Sequence, residues 1–389
     1  MLARVELSHT TEAAAFREEI RAWLEAKLGG EFAALRGIGG SGHEHEAVEE
    51  RKRWELALGQ AGWIGLALPR EWGGRGASII EQVIFAEEYA RAGGPGRVNH
   101  IGEQLLAPTL VEFGTDALCE RFLPGVLRGE ELWCQGYSEP GAGSDLAGVS
   151  TRAELVDGQW RINGQKVWTS LAHHADWAFV LARTEPGSKR HQGLSYLLVP
   201  MRQDGIDIRP ITQLTGTSEF NEVFFTDAVT DADCIVGEPG AGWRVAMGTL
   251  GLERGVSTLA HQVGYQRELD AVFAAARSSG AIEDPAMRQR LIDAWAELRA
   301  IHHHAVRSLG STGPLAASVS KLMWGTWHRQ LGELAIDVLG PDGAVLPQAP
   351  YELSDEQTTF LFSRSDTIYG GSNEIQKNIL AERVLGLPR

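Results

Sequence analysis

The sequence Trp133-Cys-Gln-Gly-Tyr-Ser-Glu-Pro-Gly-Ala-Gly-Ser-Asp145 contains a short apolar run that ends in a glycine-rich turn. Gly141 and Gly143 favour a tight turn, and glycines let backbone N–H groups approach a ligand closely. Farther along, Asn163-Gly-Gln-Lys-Val-Trp-Thr-Ser170 adds an aromatic ring and hydroxyl groups. This stretch suits a phosphate or the polar edge of a ring, although a plain β-turn between two strands explains the Pro-Gly pattern equally well.

The hydrophobic pattern changes twice along the chain. Near the N-terminus, Thr10 precedes apolar positions such as Phe16 and Ile20, which predicts a capped amphipathic helix. In the middle, the period becomes two, and Asp157-Gly158 between alternating stretches predicts a hairpin. Helical spacing then returns. We expect an α+β multidomain fold with an N-terminal helical domain (1–128), a middle β-barrel or sandwich domain (129–236) and a C-terminal four-helix bundle (237–389).

The composition excludes several classes of partner. The chain has 389 residues and a net charge of −15, so binding to nucleic acid or to an anionic membrane surface is not expected. The three cysteines, Cys119, Cys134 and Cys234, show no metal-binding spacing and are expected to be reduced thiols. With neither a signal-peptide pattern nor an apolar run long enough to span a membrane, we expect a cytoplasmic protein.

Some motifs that resemble binding sites have simpler explanations. Residues 37–42 fit G-x-G-x-x-G, but the preceding residues look helical, whereas a dinucleotide site needs a strand there. The histidines in residues 43–46 and 302–304 have no carboxylate or cysteine partner at a recognised metal spacing. We therefore interpret the first motif as a loop and the histidines as surface or helix-flanking residues, and expect no metal site.

Glu253 lies in an unusually small and apolar stretch for a carboxylate. Gly251 and Gly255 leave room for a flat group, and burial would raise the pKa of Glu253, as suits a general base. An exposed glutamate beside Arg254 is the alternative. Near the C-terminus, Tyr369-Gly-Gly-Ser-Asn-Glu-Ile-Gln376 predicts a turn and a helix capped at Ser372 or Asn373, which is either an anion site or a plain connection.

Together these stretches resemble the acyl-CoA dehydrogenase family over nearly the whole chain. The most specific parts are residues 137–145, 163–170 and 368–376, followed by Ala381-Glu-Arg-Val-Leu-Gly-Leu-Pro388. The resemblance implies FAD as cofactor and an acyl-CoA substrate that loses two hydrogens from its α and β carbons. It implies a carboxylate base for the α proton and flavin N5 as acceptor of the β hydrogen as hydride.

The resemblance also implies roles for individual residues. The implied cofactor-binding residues are Tyr137, Ser138, Gly143, Ser144, Trp168, Thr169, Ser170, Ser372 and Glu374. The implied substrate residues are Ser144, Arg254, Tyr369 and Gly370.

The position of the base departs from the common family pattern. Most members carry it directly after the tyrosine that Tyr369 matches, where this chain has Gly370. Isovaleryl- and long-chain-type members carry it on the helix after the β domain, at the position of Glu253. The resemblance therefore favours Glu253 as the catalytic base.

Two further family elements are missing. An Arg-x-x-Phe-Gly element is common after the Glu253 helix, but this region begins Gln266-Arg267, and Asp337-Val-Leu-Gly-Pro341 stands where Gln-x-x-Gly-Gly is common. The favoured interpretation is a homodimeric or homotetrameric dehydrogenase that passes electrons to an electron-transferring flavoprotein. A partner subunit in a hetero-oligomer with a related chain, or a flavin monooxygenase or oxidase on the same fold, are the alternatives.

Overall fold

The computed structural model describes residues 10–40, 42–252, 257–308, 314–345 and 352–388. The N-terminal helices are α1 (Thr11–Leu28), α2 (Val48–Gln60), α3 (Ile79–Arg91), α4 (Ala107–Phe113) and α5 (Asp116–Leu127). The strands are β1 (Trp133–Gly136), β2 (Arg152–Val156), β3 (Gln159–Ser170), β4 (Trp177–Arg183), β5 (Leu194–Pro200), β6 (Ile206–Ile211), β7 (Phe220–Asp231) and β8 (Ile235–Val236). The C-terminal helices are α6 (Gly242–Leu252), α7 (Ser257–Ser278), α8 (Pro285–Ser308), α9 (Pro314–Leu339), α10 (Asp355–Phe362) and α11 (Asn373–Ile379).

Helix α1 forms as its sequence predicts. The Thr10 side chain accepts a hydrogen bond from the N–H of Ala13 at 3.2 Å, which caps the first turn. Phe16 and Ile20 belong to a buried stripe with three- and four-residue spacing that packs on α3. Phe16 also meets Trp63 edge to face, with 5.8 Å between ring centroids. The cap and the stripe confirm the predicted amphipathic helix.

The described strands form one sheet in the order β6-β7-β3-β2-β4-β5-β8, with β1 pairing parallel to β4. The predicted hairpin joins β2 and β3. Asp157 has a φ of 51° and Gly158 a φ of 81°, the left-handed conformation that a two-residue hairpin turn requires at both positions.

Strand β4 is buried on both faces, which explains its continuous apolar sequence. Phe179 and Leu181 join the core of the N-terminal helices and α6. Val180 and Ala182 face the other way, into a core that includes Phe225 of β7. The sheet therefore curls around one core while its outer face holds the helices.

The C-terminal helices form the expected bundle. Helices α7, α8 and α9 share a core that includes Leu269, Leu298 and Leu331. Helices α10 and α11 pack along α9. The order of helices, sheet and helices confirms the predicted fold class.

Candidate cofactor and substrate site

The glycine-rich stretch forms a closed turn after β1. Glu139 and Ala142 exchange two backbone hydrogen bonds of 3.0 Å. Gly141, Gly143 and Ser144 are exposed, and a Cβ atom placed on either glycine would meet nothing within 4 Å. The backbone of the turn is therefore open to a ligand from outside.

A buried ion pair holds this turn to the sheet. Lys166 on β3 is fully buried, and its Nζ donates to the Glu139 carboxylate at 2.8 Å, the Tyr137 carbonyl at 3.0 Å and the Leu181 carbonyl at 2.7 Å. The Glu139 carboxylate also accepts from two backbone N–H groups just before β2, at 2.6 and 2.9 Å. One lysine thus ties the turn to β3 and β4.

Both members of this pair are charged at neutral pH. Burial alone would raise the pKa of Glu139, but the charge of Lys166 and the hydrogen bonds outweigh burial and lower the pKa to about 2. Burial lowers the pKa of Lys166 to about 8, although the charge of Glu139 opposes this shift.

Trp168 owes its exposed position to an irregularity in β3. The pairing of β3 with β7 shifts register between Lys166 and Thr169, and Trp168 has a φ of 59°. A bulge of this kind re-aims the side chains that follow it. Lys166 and Thr169 are both buried, whereas Trp168 is 58% exposed and forms a T-shaped ring contact with Phe220.

The glycine turn and the bulge lie side by side. The carbonyl of Ser138 accepts a hydrogen bond from the N–H of Val167 at 2.9 Å. Tyr137 is buried among aromatic rings of the sheet, and Ser170 is half-buried at the end of β3. The Thr169 hydroxyl is buried and makes no hydrogen bond within the described part of the chain. The structure therefore brings together the two stretches that the sequence singled out.

The loop before α2 joins this edge of the sheet to the C-terminal bundle. His45 Nδ1 lies 2.9 Å from the Glu219 carboxylate, and the Glu219 carbonyl accepts from the N–H of Leu171, just after β3, at 2.8 Å. On the other side, a Cβ atom on Gly42 would lie 3.2 Å from the ring of Phe362, at the end of α10. All three parts of the chain meet here.

The turn at Tyr369 and Gly370 lies over a buried charged cluster. The Tyr369 hydroxyl donates to Asp366, and His328 contacts both Asp366 and Glu268, the latter at 2.5 Å. Burial alone would lower the pKa of His328, but the charge of Glu268 and the hydrogen bonds to both carboxylates raise it to about 10. A cation between two carboxylates therefore underlies the turn.

Two more of the predicted residues lie at the start of helix α11. Ser372 caps α11, because its side chain accepts from the N–H of Ile375 at 3.3 Å, and Glu374 is exposed in the first turn. Both belong to the bundle rather than to the sheet. Glu253 and Arg254 lie outside the described residues.

Three family models match consecutive parts of the chain. The acyl-CoA dehydrogenase N-terminal domain matches residues 10–130, the middle domain residues 134–228 and the C-terminal domain residues 240–385. The chain belongs to the acyl-CoA dehydrogenase family. It is an oxidoreductase of the acyl-CoA dehydrogenase type in lipid catabolism, and its cofactor is FAD.

Individual relatives cover almost the whole chain. Acyl-CoA dehydrogenase IpdE1 of Mycobacterium tuberculosis is 59% identical, covering 96% of this chain and 97% of that protein. The Tcur3481-Tcur3483 steroid acyl-CoA dehydrogenase (ACAD) has a TM-score of 0.83 and 29% identity, covering 99% of this chain and 100% of that one. The ChsE4-ChsE5 complex of Mycobacterium tuberculosis has a TM-score of 0.79 and 28% identity, with coverage of 99% and 100%. Of the described helices, none is long and apolar enough to cross a membrane.

The residues at the edge of the sheet fit the family's FAD. The open glycine turn offers backbone donors, and the exposed ring of Trp168 offers a flat surface for an aromatic group. The buried hydroxyl of Thr169, which has no hydrogen-bond partner among the described residues, offers a further polar contact. Tyr137, Ser138 and Ser170 would support the same group from the turn and the strand.

The sequence did not reveal several residues that shape this site. Lys166 and Glu139 were visible within the quoted stretches, but only the three-dimensional pairing shows that they hold the turn. His328 lies in an ordinary helical pattern without a local signal. Glu44 lies between two histidines for which the sequence predicts a surface or helix-flanking position, and the burial of its carboxyl oxygen Oε2 depends on contacts with distant elements.

Proposed function

We propose that this acyl-CoA dehydrogenase converts an acyl-CoA to the 2-enoyl-CoA. Glu253 takes the α proton as base, and the β hydrogen leaves with its electron pair as a hydride, which FAD accepts when bound. Hydrogen-bond donors near the thioester oxygen stabilise the negative charge that develops there. The absence of a side chain at Gly370, after Tyr369, supports a base elsewhere in the chain.

The observation that carries this proposal is the contact between the glycine-rich turn after β1 and the bulge in β3. The Ser138–Val167 hydrogen bond brings the open glycines next to the exposed Trp168, as a site for a flat cofactor with phosphates requires. Residues 137, 138, 143, 144, 168, 169, 170, 372 and 374 are the proposed cofactor-binding positions. Residues 144, 254, 369 and 370 are the proposed substrate positions. The proposed domain boundaries after residues 128 and 236 are supported by the ends of α5 and β8.

The base is tested by Glu253→Gln. We expect the variant to keep yellow bound FAD but not to be bleached by acyl-CoA under anaerobic conditions, because Gln cannot accept the α proton. Glu283→Gln, an exposed position before α8, is the matched control and should bleach normally. Normal bleaching of Glu253→Gln by substrate would refute the assignment.

We also propose a hetero-oligomeric assembly and a steroid-derived acyl group. Both solved relatives named above carry two chain names in their descriptions, and one is described as a steroid ACAD. Under this second hypothesis the chain forms a complete flavin site only together with a related subunit. If the chain purified alone binds FAD and is bleached by a steroid-derived acyl-CoA as fast as the co-purified pair, the need for a partner is refuted.

The electrons are proposed to leave through an electron-transferring flavoprotein. A dehydrogenase reduced by substrate should react slowly with oxygen and quickly with that acceptor. Fast oxygen consumption during turnover would instead favour an oxidase or monooxygenase.

A further inference from the structure

The carboxyl group of Glu44 is shielded from solvent but incompletely bonded. Its Oε2 is buried and has no hydrogen-bond partner among the described residues. A buried polar atom without a partner costs about 1–3 kcal/mol. Such an atom indicates a partner beyond the residues that the structure describes.

Arg51 holds the loop that carries Glu44 by its backbone. The buried guanidinium of Arg51 donates to the Glu46 carbonyl at 2.8 Å, to the Gly96 carbonyl at 3.0 Å and to the Glu44 carbonyl. All three acceptors are backbone atoms. Arg51 therefore holds the backbone at residue 44 through contacts that do not involve the Glu44 carboxyl group.

Titratable groups from three parts of the chain interact electrostatically with this carboxyl group. They are Glu219, just before β7, Arg51 on α2 and Tyr369 of the bundle. His45 on the same loop contacts Glu219. Burial, reinforced by the charge of Glu219, raises the pKa of Glu44 to about 8, although backbone N–H groups and Arg51 oppose this. At pH 7 the group is mainly a neutral acid with an O–H to donate.

The position of Glu44 relates it to the site described above. The backbone carbonyl of Glu219 accepts a hydrogen bond from the N–H of Leu171, two residues after Thr169. The buried hydroxyl of Thr169 also has no hydrogen-bond partner in the described part of the chain. Tyr369 begins the turn at which we place the substrate. Two buried oxygens that no described residue hydrogen-bonds thus lie near the meeting point of the sheet edge, the N-terminal loop and the bundle.

We propose that Glu44 is a ligand-contacting residue that donates a hydrogen bond from its carboxylic acid to a neutral acceptor atom, between the end of β3 and the turn at Tyr369. The inference rests on the proposed function, which places cofactor and substrate there. Both the FAD ring system and an acyl-CoA carry carbonyl oxygens that could accept this bond.

The test compares Glu44→Gln, which keeps an N–H donor but cannot ionise, with Glu44→Ala, which has no donor. Arg51 binds the backbone of residue 44, so both variants should keep the loop. Glu50→Gln and Glu50→Ala, at an exposed position of α2, are the matched controls.

FAD affinity is measured by fluorescence titration of the assembled protein from about pH 6.5 to about pH 9.5. Acyl-CoA affinity is measured by calorimetry in the Glu253→Gln background, with the tightest binder of a panel of straight-chain, branched and steroid-derived thioesters.

We expect one of the two affinities to fall by up to about tenfold as the pH rises from about 7 to about 9.5 in the protein with Glu44, because ionisation removes the donor. Glu44→Gln should abolish this pH dependence. Glu44→Ala should bind about tenfold more weakly than Glu44→Gln at every pH. A change in FAD affinity assigns the acceptor to the cofactor, and a change confined to acyl-CoA affinity assigns it to the substrate.

The proposal is overturned if neither affinity distinguishes Glu44→Ala from Glu44→Gln, or if the pH dependence persists in Glu44→Gln. These outcomes are separate from failure of the proposed function. A protein that binds FAD but is bleached by no acyl-CoA would refute the dehydrogenation, while the FAD titration would still report on Glu44.

Discussion

Replacing His328 with Gln removes a buried positive charge from the C-terminal bundle. The imidazole side chain is 2% exposed and lies between Glu268 and Asp366, whose side chain is 1% exposed. Gln can donate to one carboxylate but carries no charge. Asp366 then remains buried without its cationic partner, and we expect the variant to be less stable at neutral pH.

The magnitude follows from the pKa of His328. That pKa is about 10 in the folded protein against an ordinary value of 6.5, so the folded state holds a proton that the unfolded state has lost. The stabilisation is fully present below pH 6.5 and is lost as the pH rises toward 10. Each pH unit in this window removes about 1.4 kcal/mol, and the whole shift corresponds to roughly 3–5 kcal/mol.

Urea denaturation followed by tryptophan fluorescence measures this effect. Between about pH 7 and about pH 9, the stability difference between the unmodified protein and His328→Gln should shrink by roughly 3 kcal/mol. His303→Gln, at an exposed position of α8, should follow the unmodified protein at every pH. A difference that stays constant over this range would show that His328 is not the protonated partner of the two carboxylates.

Two further substitutions test the site on the sheet. Lys166→Met should lower the free energy of unfolding by roughly 3–5 kcal/mol and weaken FAD binding, because it leaves the Glu139 carboxylate buried and unpaired. Adding Glu139→Gln to Lys166→Met should restore part of the lost stability. The control Lys189→Met, at an exposed position, should leave stability and FAD binding unchanged. Equal stabilities for Lys166→Met and Lys189→Met would contradict the role of the Lys166–Glu139 pair. Trp168→Ala should change stability little but weaken FAD binding about tenfold in a fluorescence titration, by loss of aromatic contact. Trp295→Ala, with similar exposure at 49%, should leave FAD affinity unchanged, and equal affinities for the two variants would exclude Trp168 from the site.

Much of the fold could be predicted because its signals are local. The apolar spacing after Thr10 and the dipeptide Asp157-Gly158 depend on near neighbours in sequence, and both predictions are confirmed. The parallel pairing of β1 with β4 was not predicted. It joins residues more than forty positions apart, such as Trp133 and Trp177, and no local pattern specifies such a register.

The candidate site was predictable in outline but not in its supporting interactions. Ser138 and Trp168 were visible through glycine and aromatic patterns, and the structure brings their segments together. The bulge that exposes Trp168 depends on pairing with β7, and the charge states of Glu44 and His328 depend on groups from distant elements. Burial of a charged residue is a property of the tertiary structure, and the sequence around such a residue need not show it.

The most direct test of acyl-CoA dehydrogenation is the rate of flavin reduction in a single anaerobic turnover. The FAD-loaded protein, with its related subunit if one is needed, is mixed with a panel of acyl-CoAs that includes steroid-derived thioesters. We expect at least one thioester to bleach the visible flavin absorbance, and Glu253→Gln to slow that step by at least about a hundredfold while retaining FAD. Bleaching of Glu253→Gln at the unmodified rate, or FAD-loaded protein that no acyl-CoA of the panel bleaches, would contradict the proposed reaction.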